Sequence, residues 1–208
     1  MSVGGARELE LKAVVRDAAA LEKRLDAAKA PCTFRGLMRD RRYDRPDRLM
    51  LARDEVLRVR TFEPSGTGEA HAELTWKGAT KRTLGYKERE ELQFAVADAA
   101  AVAAVLERLG FEVSDAIDRC VAYYRAGKAV VRIEWYPRMD VLAEVEGAPA
   151  EIEKAVAATG IPRDAYTADR LLDFAARYRT RTGTEPVLRL DLLGTHERPG
   201  WPPWAGGS

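Results

Sequence analysis

Through much of this chain, charged and apolar residues take turns. In "ELELK", Glu8 to Lys12, two carboxylates and an ammonium alternate with leucines. Successive side chains of a strand point to opposite faces, so such a segment has one dry face and one densely charged face. The pattern recurs. Arg58 and Arg60 oppose Leu57 and Val59, and Glu73, Thr75 and Lys77 oppose Leu74 and Trp76. Lys87, Arg89, Glu91 and Gln93 share a face, although Glu88 and Glu90 charge the other as well. Lys128, Arg132 and Glu134 oppose Val131, Ile133 and Trp135, and Glu144 and Glu146 oppose Ala143 and Val145. A single polar strand face is ordinarily just solvated. Here nearly every strand carries one, rich in Arg and Glu and poor in Ser and Thr.

The strand segments are "RELELKAVV", "DRRYDR", "EVLRVRTF", "AHAELTWKG", "LGYKEREELQFAV", a pair around Ala126-Gly127 in "DRCVAYYRAGKAVVRIEWY", and "DVLAEVEG". Between them lie four helical stretches. Asp17 caps the first before Pro31, Asp98 caps the second before Gly110, and Pro149 opens the third, which stops at Gly160. Thr167 is the expected cap of the fourth, ending near Gly183. About eight strands joined mostly by short turns, with about four helices, make an α+β chain. The expected architecture is a mainly antiparallel β-barrel with helices outside, since closure leaves no bare edge. Helices on the apolar outside put the charged faces inside. We expect one domain over 1–184 and an irregular or mobile Pro/Gly/Trp-containing tail over 185–208, to which no chemistry is assigned.

Composition narrows the function. Among 208 residues, 34 Lys+Arg against 33 Asp+Glu leave a net charge of +1, which argues against a general nucleic-acid partner. No apolar run reaches a membrane span, and the start lacks a signal-peptide core. The expected setting is therefore the cytoplasm, with Cys32 and Cys120 as reduced thiols and a monomer or homodimer as the assembly. Two histidines are too few for a His-based metal site. A charged interior is costly unless compensated. Carboxylates can hold a hard divalent cation, and arginines and lysines can hold a polyanion. A tunnel with both suits a metal-bound polyphosphate.

Ordered motifs carry a resemblance to a known family. "ELELK" resembles the ExExK signature of the CYTH domain, also called the triphosphate tunnel metalloenzyme superfamily. "DRRYDRPD", "VLRVR", "ELTWKG", "REELQ" and "LAEVEG" resemble its later motifs in order, with family-like spacing from about residue 6 to 180. The subgroup most resembled is that of class IV adenylyl cyclases. The resemblance implies an eight-stranded antiparallel barrel tunnel and a small-molecule triphosphate substrate. It implies Mg²⁺ or Mn²⁺ on Glu8, Glu10, Glu144 and Glu146, with Glu91 and Glu134 as further tunnel acids and Glu134 counted among the metal ligands. Lys12, Arg58, Arg60, Lys77, Arg89 and Arg119 would grip the triphosphate, and Lys12, Arg58 and Glu91 would carry the catalysis. Three departures touch substrate preference. Gln93 stands where a second acid belongs, Ile117 where a lysine often does, and Arg41 and Arg42 replace less basic residues.

Such a tunnel serves more than one reaction. Water attacking the bound chain makes a phosphohydrolase of tripolyphosphate, thiamine triphosphate or a nucleotide. A ribose hydroxyl attacking the α-phosphate of ATP makes a cyclase, which needs an adenine pocket that the residues do not reveal. A non-catalytic polyphosphate-binding module is the third reading, favoured by Gln93. Trp76 and Trp135 are expected to pack outside the barrel, His71 at a surface strand end, and Tyr123 in a structural role.

Overall fold

A computed structural model of the chain describes residues 6–83 and 85–205, with side chains from Leu9 onward. The strands are β1 (Ala6–Val15), β2 (Cys32–Asp44), β3 (Val56–Pro64), β4 (His71–Lys77), β5 (Lys81–Thr83), β6 (Tyr86–Val96), β7 (Glu112–Ala126), β8 (Ala129–Trp135) and β9 (Val141–Glu146). The helices are α1 (Ala18–Ala27), α2 (Leu49–Ala52), α3 (Ala99–Arg108), α4 (Pro149–Thr159) and α5 (Leu171–Thr182). Every strand pairing is antiparallel. The spatial order β1-β9-β8-β7-β2-β3-β4-β6 returns to β1 through a β1–β6 pairing, which closes an eight-stranded barrel. The short β5 adds to β6 outside that ring. A tight turn at Gly127, with φ +66, joins β7 to β8; glycine takes a positive φ without a Cβ clash.

The main apolar core lies outside the barrel wall. Leu11, Val131, Ile133 and Val145 face outward from β1, β8 and β9 and meet Leu21 and Leu25 of α1 and Ile152 and Val156 of α4. On the opposite side Tyr43 and Val59 of the wall meet Leu106 of α3. Each such buried aliphatic stabilises the fold by ~1.5–3 kcal/mol relative to exposure. Both helix seats follow from the alternation, because the outward residues are the apolar ones. The inward positions therefore carry the charged residues, joined by apolar ones such as Phe34, Phe62 and Ile117.

Several boundaries differ from expectation for identifiable reasons. β2 begins at Cys32 rather than Asp40, because it pairs with β7 up to Tyr124. β7 likewise starts at Glu112 rather than Asp118. Thr167 does not cap α5. Its N–H donates to the Lys12 carbonyl and its carbonyl accepts from Lys12 N–H, both at 2.8 Å, so it belongs to a bridge on β1. The helix opens three residues later, with Arg170 as N-cap and Asp173 accepting from the Arg170 N–H. Asp44 organises the turn into α2 by accepting from the N–H groups of Arg45, Met50 and Leu51.

The chain after α5 is irregular and packed against the barrel. Val187 pairs with Arg138, whose guanidinium also reaches the Glu185 carbonyl and the Glu197 carboxylate. The Leu190 N–H donates to Asp118, and Trp204 meets Trp135 edge to face at 5.4 Å. Among the described residues, no helix is long and apolar enough to cross a membrane.

Candidate active site

The barrel encloses a cavity of about 830 Å³. Every described residue expected at the site faces it: Glu10 and Lys12 from β1, Arg58 and Arg60 from β3, Lys77 from β4, Arg89 and Glu91 from β6, Arg119 from β7, Glu134 from β8, and Glu144 and Glu146 from β9. The Glu8 side chain lies outside the described residues. Lys87 and Arg132, inward by alternation alone, line it too. Lys128 instead sits exposed beside the Gly127 turn.

These groups form one chain of alternating charge that passes round the barrel. Lys87 meets Glu10, and Glu10 accepts from Lys12 at 2.6 Å. Lys12 also meets Glu144, which meets Arg132. Arg132 donates to Glu134 at 2.8 Å, and Arg119 donates to the same oxygen at 2.9 Å. Arg119 reaches Asp40 at 3.1 Å, and Arg60 binds Asp40 through two donors at 2.6 and 2.9 Å. Arg58 stands 3.7 Å from Asp40 and 3.9 Å from Glu91, which holds Lys77 at 3.0 Å. The chain touches all eight barrel strands, so barrel closure and charge pairing depend on the same register.

Burial sharpens these charges. It opposes ionisation of Glu10, yet Lys12, Lys87 and Lys77 hold that carboxyl well below its usual range. Asp40 is fully buried and is likewise held well below, by Arg60, Arg119 and Arg58. Burial also opposes ionisation of Glu134, but Arg132, Arg119 and Lys12 bring it down to about 2. Arg58 behaves oppositely. Burial and the neighbouring Arg60 push it down to about 10, because its acidic partners are distant. It remains charged at neutral pH and under-neutralised. Its Nε and the Nη1 of Arg119 are buried without an acceptor, and such donors are expensive to leave unmade.

Three site features were not among the expected ones. Asp40 is the hub of the arginines. Its inward parity with Arg42 was legible, but a strand started at Asp40 hides it. Tyr136 donates to Glu134 at 2.6 Å. One end of the cavity is aromatic: Phe62 stacks on His71 at 4.4 Å, and Phe34 sets its edge to both and to Tyr123. His71 is thus an exposed strand-end residue that also lines the cavity, and Tyr123 lines it as well. At the other end Ile117, Tyr136, Leu142 and Phe174 cluster with Leu171 and Leu188. Ile117 is part of that apolar plug rather than a phosphate contact. Arg89 lines the cavity but donates to the Gly78 carbonyl at 2.6 Å and to that of Asp54, which ties it to the wall. The Gln93 amide oxygen accepts from Thr75 at 3.1 Å.

The acids are suited in type to a hard divalent cation, which takes oxygen ligands. Glu10 and Glu146 face each other in the β1–β9 register, with Glu144 two residues along. Glu10, Glu134 and Glu144 each hold a basic side chain of the protein. Among the described residues no three acids gather as a bare cage. A cation would therefore join by competing with Lys12 and Lys87 for these oxygens.

Fold and cavity define an antiparallel β-barrel tunnel with a charged interior and helices outside. The CYTH domain profile matches residues 6–179, and the chain belongs to that family. Among solved structures, a candidate adenylate cyclase from Vibrio parahaemolyticus superposes with a TM-score of 0.69 at 15% identity, covering 83% of this chain and 99% of that one. The PH1819 protein of Pyrococcus horikoshii has a TM-score of 0.64 at 22% identity, with 82% and 98% covered. A candidate adenylyl cyclase from Hippeastrum, described as having a dominant triphosphatase activity, has a TM-score of 0.57 at 18% identity, with 88% and 98% covered. These likenesses concern the fold. No curated protein matches the sequence significantly.

Proposed function

We propose that the protein is a divalent-metal-dependent phosphohydrolase that takes a triphosphate group into its barrel. The observation that carries this reading is the convergence of Lys12, Arg58, Arg60, Lys77 and Arg119 on one cavity that the carboxylates of Glu10, Glu134, Glu144 and Glu146 also line. Phosphate oxygens are acceptors of the required kind, and arginine forks match them. Lys12, Arg58, Arg60, Lys77 and Arg119 would hold the phosphates in line. Glu91, between Lys77 and Arg58, would orient a water and take its proton. That attack forms a P–O bond to the water oxygen and breaks a phosphoanhydride bond, with the departing phosphate leaving as an anion held by the cations. Mg²⁺ or Mn²⁺ on Glu10, Glu144, Glu146 and Glu134, with Glu8 as a further ligand, would neutralise charge on the phosphate oxygens. Such reactions need little beyond positioning and electrostatics. Arg89, tied to backbone carbonyls, would stiffen the wall of the grip.

A cyclase is the second reading, and the aromatic end favours it. Phe34, Phe62, His71 and Tyr123 offer ring faces and edges to a base while the phosphates lie among the cations. One panel separates the readings. The purified protein is incubated with tripolyphosphate, thiamine triphosphate and ATP, with Mg²⁺ and with Mn²⁺. Orthophosphate release supports hydrolysis, whereas cyclic AMP with pyrophosphate supports the cyclase. Binding without turnover under both metals supports a non-catalytic module. Glu10→Ala and Arg58→Ala should each lower turnover by ~100-fold or more if the activity resides in this tunnel.

A further inference from the structure

We propose that Asp40 is the positioning residue of the phosphate grip, holding Arg58, Arg60 and Arg119 in place along the cavity wall. This rests on the triphosphate reading above. Asp40 is 1% exposed and sits on β2 opposite Arg60 in the β2–β3 register. One carboxylate oxygen accepts from the Arg60 Nε at 2.6 Å. The other accepts from the Arg60 Nη2 at 2.9 Å and the Arg119 Nη2 at 3.1 Å, and stands 3.7 Å from Arg58. The buried carboxylate accepts three hydrogen bonds from cations of β3 and β7, so its influence on a substrate runs through those arginines.

Three guanidiniums converge on this one carboxylate, which leaves an excess of positive charge. Arg60 and Arg119 both disfavour the charge on Arg58. Without a shared anion, mutual repulsion would turn these long side chains apart. With it, Arg60 is locked by two bonds and Arg119 by one, and all three guanidinium side chains are kept lining the cavity. That geometry is prepaid orientation for an anion, the condition under which fixed donors act most strongly.

The rival role is a plain countercharge, and the two roles predict opposite signs. Asp40→Asn keeps the shape and removes one negative charge. If Asp40 only neutralises, the variant should bind tripolyphosphate more tightly and keep its turnover. If it positions, binding should weaken by ~10–100-fold despite the added positive charge, in line with lost charged hydrogen bonds, and kcat should fall too. Calorimetric titration with tripolyphosphate in EDTA reads binding apart from turnover. Wild-type protein that fails to bind in EDTA and also shows no turnover with Mg²⁺ or Mn²⁺ overturns the triphosphate reading itself. Wild-type protein that binds beside a variant that binds equally or better overturns only the role of Asp40. Arginine Nε–H resonances give a second measure that needs neither binding nor a folded variant. In the wild type the Arg60 Nε–H should be protected from solvent exchange. Exchange at the rate of a free arginine overturns the proposal.

Discussion

Arg132 and Ile133 are neighbours on β8 and live in opposite media. Ile133 is completely buried among aliphatic side chains under α1 and α4. Arg132 is buried too, but between Glu134 and Glu144 inside the barrel. The first is held by non-directional transfer from water, which tolerates a small change of shape. The second is held by specific partners, and each partner is itself held by another cation. Burial alone thus does not describe a site: the outer wall is stable residue by residue, whereas the interior is stable only as a set.

The strongest way to break that contrast is Arg132→Ala. It leaves Glu134 and Glu144 buried with a partner missing and should cost ~3–5 kcal/mol, measured by denaturant unfolding. A cost below ~1 kcal/mol would mean that the interior charges are separable. Acidification sharpens the comparison next. Glu134 has its folded value lowered from 4.5 to about 2, so its contribution is fully present above pH 4.5 and is lost as pH falls toward 2. Asp40 and Glu10, also depressed, act in the same direction. Stability should fall across that window by at most ~1.4 kcal/mol per pH unit for each such group. Glu134→Gln should flatten the curve relative to wild type; an unchanged slope would remove Glu134 from the account.

On the outer face, Ile133→Val should cost only ~0.5–1.5 kcal/mol. Its turnover should match wild type at temperatures where both are folded; a large drop in kcat would show that the wall and the tunnel are not independent. The smallest effect is expected at the surface, where Arg138 clips the segment after α5 through Glu197. Because both side chains of that pair are partly solvated, Arg138→Ala should shift stability by ~0.2–1 kcal/mol in a thermal melt. A much larger loss would mean that the segment depends on this clip more than on Trp204 against Trp135.

Most of the barrel was legible from residue order. The period of two assigned Glu10, Lys12, Arg58, Arg60, Lys77 and Glu144 to one side of their strands, and all of them line the cavity. Helix starts at Asp17 and Asp98 were also legible, because a carboxylate accepting from the next turn is local chemistry. Thr167 misled for the converse reason. It has a cap's side chain, but its backbone is engaged by β1, far away in sequence. β5 has three residues, too few to show a period. The segment after α5 was read as irregular, which it is, while its docking through Val187 and Trp204 left no periodic trace.

Residue order by itself determined which side chains share a strand face, and hence that a charged surface and an apolar one would be separated by a single layer of backbone. Only the tertiary structure decided who pairs with whom. Asp40 meets Arg119 across 79 positions of chain, and Lys87 meets Glu10 across 77. Alternation follows from the geometry of one strand, but an ion pair depends on register and closure between strands, and Coulomb energy follows distance in space rather than separation along the chain.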